Sequence, residues 1–417
     1  MDKIVINGGK PLNGEVKISG AKNAVLPIMA ACIIAPGKYI LKNVPNLRDT
    51  RTMSLLLQDI GAKVEYNQNT LIIDSTSCNN PTARYDLVKT MRASFYVLGP
   101  LLSRFGEANV SLPGGCAWGP RPVDFHIKAL EKMGIQINLD GGYLNAIGQL
   151  IGKEINFEKS SVGATGNVLM AAVTAKGQTV IRNAAREPEI TALVDFLIKM
   201  GADISGRETE TLVINGVNKL TGNFEFEIIP DRIEAGTFLI AVMLCGGKIT
   251  LTNSYPQHLS VLLSKLEASG AKIIIDERKI QLISNGEINP VNMTTAPYPG
   301  FPTDLQAQWM VLMTKSSGSA VIKDEVYTDR FTHIAELNRL GAKISLNSNI
   351  AVVQGVKKLT GAPLMSTDIR ASASLILGAL AAEAESEISR IYHIDRGYEK
   401  IEQKFTLLGA DIKRVSD

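Results

Sequence analysis

The stretch LLLQDIGAKVEY, residues 55–66, decides the fold. Leu55, Leu56 and Ile60 stand at helical spacing and give that segment one apolar face. Gly61 then supplies the left-handed position that ends a helix without a Cβ clash. Val64 and Tyr66 alternate with polar neighbours, as in a half-buried strand. The phrase returns as ALEKMGIQINL (129–139), FLIKMGADISG (196–206), LSKLEASGAKIIID (263–276), ELNRLGAKISL (336–346) and KFTLLGADIKRV (404–415). Its glycines are Gly61, Gly134, Gly201, Gly270, Gly341 and Gly409, and subtraction gives spacings of 73, 67, 69, 71 and 68 residues. Six phrases in register mark an internal repeat of one supersecondary unit.

A second phrase lies between the glycines: a polar turn opening a very apolar helix. It reads GAKNAVLPIMAACII, MRASFYVLGPLLS, VGATGNVLMAAVTA, DRIEAGTFLIAVML, TDLQAQWMVLMT and DIRASASLILGALAA, with openings near Lys22, Arg92, Gly163, Arg232, Asp304 and Arg370. Helices this apolar on all sides are buried. Strand-like runs such as GKYILKNV (37–44), GQTVIRNA (177–184) and GKITLTNS (247–254) follow them. Each unit thus holds two helices and about four strands, and six such units exceed one core. The expected class is α/β, in two groups of three units, with the apolar helices inside and sheets outside. The last unit ends at Val415 without its closing strands, so the N-terminal IVINGGKPLNGEVKIS (4–19) is expected to complete it. One domain is then 22–229, carrying a loop around Cys116, and the other joins 1–21 to 230–417.

Composition fits a soluble globular chain of 417 residues, 45% hydrophobic and 20% charged, which excludes disorder as the main state. The charge balance is 44 − 41 = +3, with no block of like charges, so there is no electrostatic footprint for nucleic acid. Asn23 to Gly37 is a charge-free stretch of fifteen residues broken by Pro27 and Pro36. A membrane span needs about 18 or more. The polar start lacks the apolar core of a signal peptide, and a cytoplasmic location is expected. Cys32, Cys78, Cys116 and Cys245 are scattered, as are His126, His258, His333 and His393, so no metal site is expected.

No P-loop and no G-x-G-x-x-G occurs, which removes support for a P-loop kinase or a nicotinamide dehydrogenase. What remains is a set of cations at helix openings: Lys22, Arg92, Arg232 and Arg370. Helix N-termini already favour anions, so a polyanionic substrate is one reading. Solvated caps or salt bridges are the other. The loop LPGGCAWGPRPVDFH (112–126) is too rich in Gly and Pro for helix or strand. Cys116 lies at its tip, near Arg121 and His126, and positive neighbours there would favour its thiolate. Cys32 and Cys245 read as buried hydrophobes, and Cys78 in STSCNN as exposed. Asp304, Asp231 and Asp368 each stand where a helix N-cap would, and His393, Asp395 and Arg396 precede a helix.

SGAKNA, LPGGCAWGPRPVDFH, SSVGATGN, NAAREPEI, PDRIEAGTF, FPTDLQAQ, TDIRASAS and IYHIDRGYEKIE closely resemble, in order and spacing, the UDP-N-acetylglucosamine 1-carboxyvinyltransferase family of enolpyruvyl transferases. The resemblance covers essentially the whole chain. It implies two inside-out α/β domains of the EPSP synthase-like kind. It also implies transfer of enolpyruvyl from phosphoenolpyruvate to the 3′-hydroxyl of UDP-N-acetylglucosamine with release of phosphate, the step that commits a bacterial cell to peptidoglycan and so to wall growth, shape and division. No metal or cofactor is implied.

By the same resemblance Lys22, Arg121 and Arg396 hold phosphoenolpyruvate, and Asn23 assists the intermediate. Cys116 donates a proton, can carry a phosphoenolpyruvate-derived adduct, and is the target of fosfomycin. Asp304 is the candidate base. Arg92, Arg121, Pro122, Val123, Asp124, Phe125, Lys159, Ser160, Ser161, Val162, Asp304 and Val326 match nucleotide-sugar positions, while Arg330, Asp368 and Arg370 match residues supporting the transition state. The family pattern Lys-Val-Ser reads Lys159-Ser160-Ser161 here, and the Cys that some members replace with Asp is retained. The alternatives are a shikimate-pathway enolpyruvyl transferase, which lacks the GGCAWGPRP loop, and a catalytically silent repeat scaffold.

Overall fold

The computed structural model describes residues 2–112 and 123–416. The chain forms two compact units, Met1–Ser19 with Pro230–Asp417, and Gly20–Ile229. The first boundary lies two residues before the expected 21/22, because the Ala21 N–H donates to Ile229 O at 2.7 Å and so ties 20–21 to the second unit.

Among the described residues each unit carries three four-stranded sheets, and these six share one order. In the Gly20–Ile229 unit the pattern is plainest for Thr82–Ala83, which runs parallel to Glu107–Ser111; that strand is antiparallel to Tyr143–Ile147, itself antiparallel to Gln136–Asp140. The parallel pair demands a crossover, and the buried helix supplies it. The recurring glycines all have positive φ, from 88° to 110°, which is the left-handed exit expected of them.

The N-terminal strands divide between two sheets rather than both completing the last one. Lys3–Asn7 fills the sixth sheet, pairing with Glu385–Ser389 and Asp411–Val415. Leu12–Lys17 instead lies parallel to Gly247–Thr252 in the fourth. Phe224–Glu227 makes the reciprocal move: it precedes the fourth buried helix in sequence but pairs with Lys38–Lys42 of the Gly20–Ile229 unit. Each unit is therefore closed by a strand from the far end of its own chain segments.

The apolar helices are enclosed as their composition requires. In Arg232–Cys245 every residue from Ile233 to Leu244 is buried, and in Ile369–Ala381 every residue from Arg370 onward. These two pack on each other and on Gln306–Met313, which is buried throughout. In the other unit Lys22–Ala31 and Val162–Ala172 pack against the turn Arg92–Val97 that opens the helix Leu98–Phe105.

The amphipathic helix Arg48–Ile60 buries Met53, Leu56, Leu57 and Ile60, while Leu55 is 54% exposed, so the apolar face starts one turn position away from that expected. Tyr66 is exposed as well, on the outer strand Lys63–Asn67, and donates its hydroxyl to Val44 O. Cys78 is buried rather than exposed, and burial pushes its thiol up.

A buried ion pair anchors the start of the helix Arg232–Cys245. Glu234 accepts from Lys404 Nζ at 2.7 Å and from the Ser19 N–H at 2.7 Å. Burial pushes the Glu234 carboxyl above its ordinary range in spite of Lys404. Lys404→Ala should lower stability by about 3 kcal/mol, because it strands a buried carboxylate. A carboxyl whose folded pKa is raised is easier to bury protonated, so the deficit should shrink as pH falls toward about 5. Thermal denaturation of both proteins across pH checks this; a deficit independent of pH would contradict it.

Candidate active site

In the Gly20–Ile229 unit the openings of the helices carry the expected residues. Lys22 begins its helix, is buried, and has Nζ 3.7 Å from Asp49 Oδ2. Asn23 follows it, half-buried. Arg92 begins the Arg92–Val97 turn. Ser161 caps Val162–Ala172, accepting from the Ala164 N–H at 3.3 Å, with Lys159 exposed and Ser160 half-buried just before it. Val123 precedes the helix Asp124–Lys132; Asp124 pairs with Lys128 at 3.7 Å, and the Phe125 ring lies 6.3 Å from that of Phe157. Cys116, Arg121 and Pro122 lie outside the described residues.

His126 is not the positive neighbour that the loop sequence suggested. It is buried, and burial together with the nearby Arg92 charge pulls it down to about 3. Its tautomer follows from Asn167. The Asn167 Oδ1 accepts from the Gly99 N–H at 2.9 Å, and its amide nitrogen donates to Phe95 O at 3.0 Å and lies 2.9 Å from His126 Nδ1. That nitrogen can only donate, so Nδ1 accepts and the ring proton sits on Nε2. The Nε2 edge occupies the space beside Gly163, where a Cβ would stand 3.1 Å from it. Glycine at this helix opening is thus what lets the imidazole in.

In the other unit Asp231, Asp304 and Asp368 part company. Asp231 caps its helix by accepting from the Ile233 and Glu234 N–H groups, and Asp368 does the same with Arg370 and Ala371. Asp304 is not at the cap position: it lies inside the turn Thr303–Leu305, whose N-cap is Pro302. Its Oδ1 accepts from Arg330 Nη1 at 2.9 Å and its Oδ2 from Arg370 Nη2 at 2.8 Å. Arg370 is almost fully buried; burial opposes its charge, yet Asp304, Tyr398 and Asp231 together raise its pKa. Its Nη1 is buried beside Gly397, with no hydrogen-bond acceptor within reach among the described residues.

Beneath this pair lies a buried polar floor. Gln308 Nε2 donates to Asp304 O at 3.1 Å and to the Tyr398 hydroxyl at 3.2 Å, and that hydroxyl is 2.9 Å from Thr237 Oγ1. The Arg370 guanidinium stands 5.7 Å over the Tyr398 ring. Arg396 ends the turn Ile391–Arg396 and is half-buried, while Asp395 is held by Arg414 at 3.1 Å, a structural pair. Val326 is 39% exposed in the segment after strand Ser319–Lys323. Gln308, Tyr398, Thr237 and Asn167 escaped the sequence reading; their residue types look like ordinary helix content until folding gathers them.

Among the described residues no group of three His, Cys, Asp or Glu side chains could hold a metal ion, and no helix is long and apolar enough to cross a membrane. The histidines make a testable pair. His333 is buried like His126, and burial, with Arg330 next, pulls it too down to about 3. Neither ring should titrate between about pH 5 and 8 by proton–nitrogen NMR. A group with a depressed folded pKa binds its proton only when unfolded, so stability should fall as pH drops below about 6.5. A ring titrating near 6.5 would contradict the buried, neutral assignment.

The family model of EPSP synthase (3-phosphoshikimate 1-carboxyvinyltransferase) matches residues 6–405. The chain is 52% identical to the UDP-N-acetylglucosamine 1-carboxyvinyltransferase of Geotalea daltonii over the whole of both chains. To that of Chloroherpeton thalassium it is 54% identical, covering 99% of this chain and 97% of the other. Among solved structures the enolpyruvyl transferase NikO from Streptomyces tendae superposes with a TM-score of 0.90 at 25% identity, covering 100% of this chain and 99% of that one. An EPSP synthase from Acinetobacter baumannii gives 0.77 at 17% identity over both whole chains, a likeness of fold. The two-unit α/β architecture, the repeat and the whole-length identity agree, and the chain belongs to the UDP-N-acetylglucosamine 1-carboxyvinyltransferase family of enolpyruvyl transferases.

Proposed function

We propose that the chain transfers the enolpyruvyl group of phosphoenolpyruvate to the 3′-hydroxyl of UDP-N-acetylglucosamine in the bacterial cytoplasm, without metal or cofactor. The observation that carries this reading is Asp304, a carboxylate in the turn Thr303–Leu305 at a helix opening, held by the two guanidinium groups of Arg330 and Arg370. The shikimate-pathway alternative is weaker, since identity is 17% to an EPSP synthase but 52% to a UDP-N-acetylglucosamine 1-carboxyvinyltransferase.

In this reading Asp304 accepts the proton of the sugar hydroxyl as its oxygen bonds to C2 of phosphoenolpyruvate. Cys116 delivers a proton to the methylene carbon, giving a tetrahedral intermediate with a new methyl group. Loss of a proton from that methyl and cleavage of the C2–O bond to phosphate restore the double bond. Lys22, Arg121 and Arg396 balance the carboxylate and phosphate charges, and Asn23 supports the intermediate. Arg330, Arg370 and Asp368 hold Asp304 and its surroundings for the transition state. The nucleotide sugar takes Arg92, Arg121 to Phe125, Lys159 to Val162 and Val326. Cys116 can carry a phosphoenolpyruvate-derived adduct, and as the reactive thiol it is the site where fosfomycin attaches.

Asp304→Asn tests the base, because an amide keeps the shape but cannot accept the proton. It also removes the countercharge of Arg330 and Arg370 and turns an NH2 toward one of them, so the melting temperature is measured beside turnover to separate stability from catalysis. Phosphate release should fall roughly 10²-fold or more in Asp304→Asn, with nucleotide-sugar affinity changed little. Normal turnover would reject Asp304 as base. For the thiol, mass spectrometry after treatment with fosfomycin and UDP-N-acetylglucosamine should place the adduct on Cys116. Cys116→Asp should escape the adduct and keep some turnover, and Cys116→Ala should lose most of it. An adduct on Cys78, or full activity in Cys116→Ala, would overturn the assignment.

A further inference from the structure

Asp324 is fully buried at the end of strand Ser319–Lys323, and none of the sequence motifs includes it. Its backbone is pinned from both sides by Asn349: the Asp324 N–H donates to Asn349 O at 3.1 Å and the Asn349 amide donates to Asp324 O at 2.9 Å. Its carboxylate then faces four donors. Oδ1 accepts from Thr295 Oγ1 at 2.6 Å, from the Val326 N–H at 3.0 Å and from the Tyr327 N–H at 2.8 Å. Oδ2 accepts from Thr303 Oγ1 at 2.7 Å. A carboxylate has room for this many donors, whereas an amide would turn a donor toward one of them.

The two oxygens serve different segments. Through Oδ1 the carboxylate orders residues 325–327, which are outside any helix or strand, and Thr295 adds to this by accepting from the Glu325 N–H at 3.0 Å. Through Oδ2 it holds Thr303, the residue before Asp304, whose hydroxyl also accepts from Arg330 Nη1 at 3.3 Å. Arg330 in turn bonds Asp304. We infer that Asp324 is a positioning residue that sets the Asp304 turn and the Val326 segment in register with each other. The inference rests on the reading of Asp304 as base and Val326 as a nucleotide-sugar contact given above. Buried, fully satisfied hydrogen-bond networks hold the geometry of reacting groups, and small misplacements cost large factors in rate.

The two arms can be cut separately. Thr303→Val removes the Oδ2 arm and should lower kcat about tenfold or more with the KM for UDP-N-acetylglucosamine nearly unchanged. Thr303→Ser keeps the hydroxyl and should restore kcat. Thr295→Val loosens the Oδ1 arm and should raise that KM about tenfold with kcat changed far less. Asp324→Asn should do both. Should the buried Asp324 substitution fail to fold, the two threonine variants still decide. A purely structural role predicts lower melting temperatures with kcat and KM intact, and that result, with Asp304→Asn inactive, would overturn this inference alone. Full turnover in Asp304→Asn would instead overturn the base assignment and this inference with it.

Discussion

A helix that is apolar on every face can persist in water only when other elements enclose it. The described residues include six such helices, and one four-stranded sheet per helix can shield only one side. Grouping them in threes, each group walled by three sheets, removes them from water. The arrangement leaves little of each helix for chemistry except its ends. In the Pro230–Asp417 region the helix openings converge on Arg370, which bonds Asp304 and lies in the field of Asp231 and Tyr398. Charges collected at the rim of so apolar a core interact strongly, since little water screens them.

The repeat was legible because helical spacing, a terminating glycine and a strand recur at nearly constant intervals. The finer phase was not. Leu55 looks like a core residue in LLLQDI, yet the buried stripe passes through Met53, Leu56, Leu57 and Ile60. Nor could local order reveal the strand exchange. Phe224–Glu227 sits directly before a buried helix in sequence, but the parallel place beside Gly247–Thr252 is taken by Leu12–Lys17, more than 200 residues upstream. Parallel pairing depends on long-range partners that no short window contains.

The site shows the same division. Asp231, Asp304 and Asp368 are one residue type at one kind of position. Two are caps and the third is an ion-paired carboxylate, because Arg330 and Arg370 reach it from 26 and 66 residues away. His126 was read by its neighbours in the Cys116 loop, while its charge is set by burial and its tautomer by Asn167, 41 residues on. Family resemblance assigned roles to named positions, but the hydrogen-bond network that holds them, Asp324 above all, became visible only with the fold.

The most direct measurement is phosphate release from phosphoenolpyruvate by the purified protein with either UDP-N-acetylglucosamine or shikimate 3-phosphate as acceptor. The account predicts turnover with the nucleotide sugar, a product heavier by one enolpyruvyl group, and none with shikimate 3-phosphate. Phosphate release with shikimate 3-phosphate alone, or with neither acceptor, would contradict it.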